Sequence, residues 1–266
     1  MMIRCASRFP GLRVPKIASI AAVLLLPQAA LADPQGLSRF VPITIEDAYP
    51  VAPGEFELQA TGVWDHDTHD RRGDDLVTAQ PTMKFGPFSG AEIYAGMPYR
   101  FGDASRRHGG DEVFGAFYNF NEQRDLLPAF AVNASYANPF GADARSGEST
   151  LRLIATKSLG DPYSAPRLHI NLSWYRLTDP AATERTDRYE TAIGYSQSVA
   201  PHTAVVVDYV WAQKRSQGAH SNLIEAGLRH ELNDHWSLSS GAGVGVGAES
   251  QDFRLLFAVQ RSFSLF

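Results

Sequence analysis

The sequence predicts an all-β chain that forms a transmembrane, antiparallel up-and-down β-barrel of about 12 strands. Three observations lead there. Apolar and polar residues alternate along unusually long segments. Aromatic residues gather at both ends of the apolar faces. Polar connections alternate between longer and shorter ones.

The N-terminus comes first, because it changes what the rest means. Arg4, Arg8, Arg13 and Lys16 precede an uncharged apolar run from Ile17 to Leu26. Pro27 ends that run, and Ala30-Leu31-Ala32 follows as a small-residue cleavage site. This order is that of a cleaved secretory signal peptide over residues 1–32. The run is too short to span a membrane as a helix, which takes about 20 residues.

Export leaves 20 Lys and Arg against 29 Asp and Glu, because four of the 24 cations lie in residues 1–32. A net charge near −9 argues against nucleic acid as a partner. The one cysteine, Cys5, departs with the signal, so neither a disulfide nor thiol chemistry is expected. Residues 33–54 hold Pro34, Pro42, Pro50 and Pro53 and precede the first strand. They read as a periplasmic segment or a partial plug, and residues 55–266 as the barrel.

Glu55 to Trp64 opens the barrel, with Phe56, Leu58, Ala60, Gly62 and Trp64 on one face. Leu76–Phe85, Ala91–Phe101, Glu112–Phe120, Leu126–Tyr136 and Ser149–Leu159 follow with the same period of two. The second half continues it. Leu168, Ile170, Leu172 and Trp174 share a face, as do Tyr189, Ile193 and Tyr195, and Val205, Val207, Tyr209 and Trp211. Ile224, Ala226 and Leu228 come next, then Trp236, Leu238, Ala242, Val244 and Val246 opposite serines and glycines. Phe253, Leu255, Phe257, Val259 and Phe263 close the set. Connections after odd strands (65–75, 102–111, 138–147, 178–187, 213–220, 247–252) are longer than those after even ones. Long loops outside and short turns in the periplasm are typical of outer-membrane barrels.

A soluble sandwich also alternates, so the period alone does not decide. Strand length does: about ten residues at 3.3 Å each, tilted by about 40°, cover the ~25 Å apolar band of such barrels. Aromatic placement agrees. Trp64, Tyr99, Tyr136, Trp174, Tyr189 and Trp211 mark the long-loop end of the apolar face, and Phe85, Phe120, Trp236 and Phe263 the other. Strand charges fall on the opposite face, with Arg261 as the exception.

The lumen face then carries Glu57, Glu92, Arg100, Arg152, Arg188, Glu190, Asp208, Glu225, Arg229, Glu231 and Arg254. Two readings are open: a charged constriction that selects solutes, or a neutralising ion-pair network that fills a narrow barrel. No catalytic, cofactor or metal residue is assigned. His220-Ser221-Asn222 is close to the His-x-Ser-Asn run of outer-membrane phospholipases. Without the spacer its His and Ser point to opposite faces. His66, His69 and His108 beside Asp65, Asp67, Asp70 and Asp111 are loop residues that solvent alone explains.

Leu223–Phe263 resembles the last two hairpins of the meta-pathway phenol-degradation transporter-like family of outer-membrane proteins. Pro42–Trp64 resembles that family's mature start: a Thr-x-Asp-type motif, then Pro-Gly, then an acidic and apolar first strand. One departure concerns the end, where Phe266 falls one residue out of register with Phe263 and Leu265. The resemblance implies a transporter or channel in the bacterial outer membrane, inserted by the barrel assembly machinery. It would sit in outer-membrane lipid and pass small solutes, hydrophobic or aromatic ones included. The alternatives are a structural or surface-interaction barrel without a pore and, third, a lipid hydrolase.

Overall fold

The computed structural model describes residues 36–68, 74–103, 109–141, 144, 146–160 and 165–264. Residues 1–32, which the sequence pattern reads as a signal peptide, and His69, Asp70, His108, Leu265 and Phe266 lie outside the described residues. Long alternating segments have one low-energy solution in lipid. Every backbone group must be paired within the protein, so strands close on themselves.

Thirteen strand segments do so. They are β1 (Glu55–Asp67), β2 (Asp74–Phe88), β3 (Ala91–Gly96), β4 (Tyr99–Phe101), β5 (Gly109–Asn119), β6 (Ala129–Gly141) and β7 (Glu148–Ser158). Then come β8 (Arg167–Leu177), β9 (Asp187–Ala200), β10 (Thr203–Gln213), β11 (His220–Asn233), β12 (Trp236–Gly245) and β13 (Phe253–Ser264). β3 and β4 each pair with both β2 and β5, so they are two halves of one stave. The wall therefore has twelve antiparallel staves, and β1 pairs with β13 from Glu55↔Ser264 to His66↔Phe253 to close it.

The sequence pattern places Ala91–Phe101 in one unbroken strand; the structure interrupts it at Met97–Pro98. Proline has no N–H for the ladder. The wall stays joined there because the Met97 N–H donates to the Pro81 carbonyl and the Asp111 N–H to the Pro98 carbonyl, both at 3.0 Å. The next expectation also shifts: Leu126 and Leu127 belong to a turn closed by Arg124, and β6 begins at Ala129. The loop asymmetry is less complete than the pattern suggests. Turns 89–90, 201–202 and 234–235 are tight, whereas the connections between β5 and β6 and between β7 and β8 span as many residues as the opposite loops.

The outer face is the apolar face. Phe114 (61% exposed), Leu153 (53%), Ile193 (53%) and Phe257 (62%) stand on the outside. A water-soluble barrel would expose charges there; this one exposes a continuous oily belt. At the long-loop end the belt aromatics carry polar handles. Trp64 donates to Asp75 at 3.0 Å, Trp174 to Asp187 at 2.9 Å and Tyr209 to Asn222 at 2.7 Å. Amphipathic rings take this arrangement at a headgroup boundary.

A charge placed in the belt measures the surrounding medium. Leu153→Arg, halfway along β7, is expected to cost about 2–4 kcal/mol. The readout is the urea midpoint of reversible folding into phosphatidylcholine vesicles. An unchanged midpoint would mean that this face does not meet hydrocarbon.

Candidate functional site

The inner wall is where the chemistry-bearing side chains converge, and it is not empty. Residues 36–51 lie inside the barrel. Val41, Ile43, Ile45 and Ala48 have no exposed surface. Ile43 and Ile45 pack with Leu37 against an apolar patch of inner wall formed by Val63, Ala192, Val206, Val210, Leu223 and Leu256. Ala48 packs against a second patch, with Phe117, Ala129, Ala131 and Ile154.

This segment forms no strand with the wall, so its backbone donors need other partners. Side chains of successive staves supply them. The Thr44 N–H donates to Glu225 at 3.0 Å, Ile45 to Asp208 at 2.8 Å, Glu46 to Asn171 at 2.8 Å and Ala48 to Thr156 at 3.0 Å. The Val51 N–H donates to Glu92 at 3.0 Å. The Asn171 amide also donates to the Glu46 carbonyl at 2.8 Å, so it holds that residue by both its N–H and its C=O. The Asp47 carboxylate accepts from the Leu37 N–H at 2.9 Å and the Tyr49 N–H at 3.0 Å, which folds the segment back on itself. Burial nevertheless pushes the Asp47 carboxyl above the usual carboxylate range.

Glycines make room for the segment. A Cβ on Gly227 would lie 2.8 Å from the Pro42 Cβ, and one on Gly194 would lie 2.8 Å from the Ile45 Cγ1. On Gly241 it would meet the Pro42 carbonyl oxygen at 2.6 Å. Gly227 and Gly241 face each other across β11 and β12, so the recess spans neighbouring staves.

Charges tie the segment down on its other side. Arg39 forms a two-point pair with Glu190 at 2.6 and 3.0 Å, and Arg152 pairs with Glu46 at 2.6 Å. Burial works against the Arg39 charge, and the facing Glu190 more than offsets it, so that guanidinium holds its proton unusually firmly. Lys84 donates to Ser38 at 2.6 Å and lies 3.5 Å from Glu92 and 3.9 Å from Glu57. Arg254 bridges Asp65 at 2.6 Å and Glu225 at 3.4 Å. Arg188 pairs with Glu148 and Arg100 with Asp111, both at 2.5 Å. Arg229 donates to the Gln260 side chain. Between the segment and the wall from β1 to β8 a cavity of ≈ 200 Å³ remains, bordered by Arg39, Lys84, Tyr94, Arg100, Arg152 and Tyr175.

The sequence pattern gives eleven lumen candidates; one of them, Glu231, lies near the short-turn end of β11, 3.6 Å from His202. Glu57, Glu92, Arg100, Arg152, Arg188, Glu190, Asp208, Glu225, Arg229 and Arg254 all project inward. They do not form one ring. Glu92, Arg152, Glu190, Asp208, Glu225 and Arg254 gather around the segment, whereas Arg100, Arg188 and Arg229 pair with wall residues, and Glu57 accepts from the Gln260 side chain at 3.1 Å. Charge patterning passes over the neutral clamps Asn171 and Thr156, and over Lys84, Arg39 and Glu46. The inward register of Asn171, Thr156 and Lys84 was visible, but not the bonding of the first two to backbone; Arg39 and Glu46 lie in no strand and had no register to read.

The other candidates fall apart spatially. His220 and Ser221 open β11 on opposite faces, and Asn222 is engaged with Tyr209 and, through its N–H, with Ser250 at 2.8 Å. His66 pairs with Asp75 at 2.7 Å, while Asp65 and Asp111 are taken by Arg254 and Arg100.

No family model matches the sequence, and no curated protein matches it. Solved structures do. The fold is similar to that of an outer-membrane channel from Pseudomonas putida F1, with a TM-score of 0.61 at 12% identity over 82% of this chain and 98% of that one. It is similar to the KdgM porin, with a TM-score of 0.51 at 10% identity over 78% and 99% of the two chains. The translocator domain of the autotransporter NalP from Neisseria meningitidis gives a TM-score of 0.51 at 11% identity over 79% and 87%. These likenesses concern the fold: a closed antiparallel barrel of the outer-membrane type.

Proposed function

We propose that the chain is a passive outer-membrane channel for small solutes, reached by export, whose lumen is filled by residues 36–51. The observation that supports this reading is the manner of filling. The segment is held by inward side chains acting as hydrogen-bond acceptors, and such acceptors are equally satisfied by water. Without the segment the wall would enclose a polar passage rather than a collapsed core.

That passage would have two unlike sides. One carries the Val63–Leu256 patch, and the other carries Arg39's partner Glu190 together with Arg152, Lys84 and Glu92. A small amphiphilic solute, a phenol for example, suits both. The sequence resemblance to phenol-pathway transporters points the same way. A second reading, a structural barrel that never opens, is favoured by the density of ion pairs around the segment.

Planar-bilayer conductance separates the two. A variant lacking residues 36–50 is expected to show a larger and steadier conductance than the intact chain. It is also expected to admit phenol into liposomes faster. If neither protein conducts when folded, the structural reading stands and the transport proposal falls.

A further inference from the structure

Arg261 is a charge that the lumen does not use. It lies on the outer face of β13, exposed, in register with Leu58 on one side and Trp236 on the other. Its guanidinium sits 5.1 Å from the Trp236 ring centre and 4.5 Å from that of Phe263. Among the described residues no carboxylate pairs with it, and the same is true of Lys157, the other outward cation at the short-turn end. The long-loop end of the outer face differs in sign. There the charges are carboxylates, or a guanidinium paired with one: Arg176 pairs with Asp187, while Asp75 is hydrogen-bonded to His66 and Glu112 accepts from Asn138. An unpaired guanidinium aimed at lipid needs an anion from outside the protein.

The wall beside Arg261 is also shaped. An apolar depression of ≈ 690 Å³ runs from it past Leu58, Ala60, Met83, Ala95 and Phe114. These residues follow the strand-to-strand register Arg261–Leu58–Met83–Ala95–Phe114. Four steps of about 4.8 Å carry this line about 19 Å along the wall. It starts toward the end of β13 and finishes at Phe114, midway along β5, with the Glu112 carboxylate at its far rim, so it runs from the short-turn interface toward the middle of the wall. The small side chains Ala60 and Ala95 leave the hollow between larger neighbours.

We propose that this surface binds one glycerophospholipid of the leaflet facing the short turns. Its phosphodiester would sit on Arg261 and one acyl chain would lie in the depression. A planar guanidinium matches two phosphate oxygens at once, and the two rings beside it hold that plane in place. The inference needs the barrel's membrane setting but not an open lumen, so the conductance outcome leaves it untouched.

Native mass spectrometry of the whole mature chain, refolded in detergent and titrated with dioleoyl phosphatidylglycerol, tests it. One tightly retained lipid is expected. Arg261→Gln should weaken retention about tenfold, the loss of a charge-assisted two-point contact. Ala95→Trp, which fills the hollow, should weaken it comparably, and Lys157→Gln should leave it unchanged. Digalactosyl diacylglycerol, which lacks phosphate, should bind wild type no better than phosphatidylglycerol binds Arg261→Gln. The proposal is overturned if both groove variants retain lipid as wild type does, if Lys157→Gln loses it equally, or if the galactolipid binds as well. Heat-shifted electrophoretic mobility reports folding. Should Arg261→Gln not fold, Ala95→Trp and the headgroup comparison decide the matter alone.

Discussion

Gly227→Val is expected to drive residues 41–45 off the inner wall. The first atom of the new side chain would fall 2.8 Å from the Pro42 Cβ and 2.9 Å from the Ile43 Cγ2, with Gly241 and its own close contacts next to it. Neither the ring of Pro42 nor the wall can yield without moving the segment. Overpacking a close contact costs about 1–3 kcal/mol, equivalent to a shift of about five- to 150-fold toward the displaced state. The chain offers a clean reporter. Cys5 is its only cysteine, so Ile45→Cys in a chain begun at Asp33 gives a single thiol at a position with no exposed surface. Maleimide labelling of that thiol should be slow alone and accelerate by the stated factor with Gly227→Val. Gly62→Val, on the outer face with nothing within 4 Å of its Cβ position, should leave the rate unchanged. Equal labelling in all three backgrounds would show that the segment does not rest in this recess.

Arg152→Met has the larger energetic effect. Arg152 and Glu46 are 6% and 8% exposed and meet at 2.6 Å, while the Arg152 Nε donates to Ser173 at 2.9 Å. Removing the guanidinium strands a buried carboxylate whose remaining side-chain partner is Asn133 at 3.4 Å. Breaking one side of a buried pair costs about 3–5 kcal/mol, mostly from the charge left behind. The cost should appear as a lower urea midpoint and as faster labelling of the Ile45→Cys reporter. Adding Glu46→Gln to Arg152→Met should restore most of the loss, because the stranded charge is then gone. No recovery in the double variant would show that Arg152 acts through packing rather than through its partner.

The outer half of the fold was legible because lipid imposes one rule on every outward position. Leu58, Ile93, Leu153, Ile193 and Phe257 obey it, and the period of two assigns their neighbours inward without further information. The break at Pro98 was visible as a proline but not as an interruption, since the alternation resumes in phase at Tyr99. The inner half was legible only as a set of inward residues. What the segment does there follows no period. Its partners come from β3, β7, β8, β10 and β11, and nothing local in the sequence associates Asn171 with Glu46 or Thr156 with Ala48. The recess was hidden for a related reason. Gly194, Gly227 and Gly241 read as weak strand residues until the chain that fills the missing side chains is in place.

The bonds of the Thr44–Ala48 run also constrain the order of assembly. Thr44 meets Glu225, Ile45 meets Asp208 and Glu46 meets Asn171 across sequence separations of 181, 163 and 125 residues. Contacts so remote in sequence form late, because the intervening chain must first surrender its freedom. Residues 44–48, made before the staves that hold them, are therefore seated after those staves have formed. Until β7 to β12 stand side by side, neither the acceptors of this run nor its glycine recess is assembled. Completion of the cylinder and occupation of its interior are coupled through Gly54 and Glu55, where the threaded segment turns directly into the first stave.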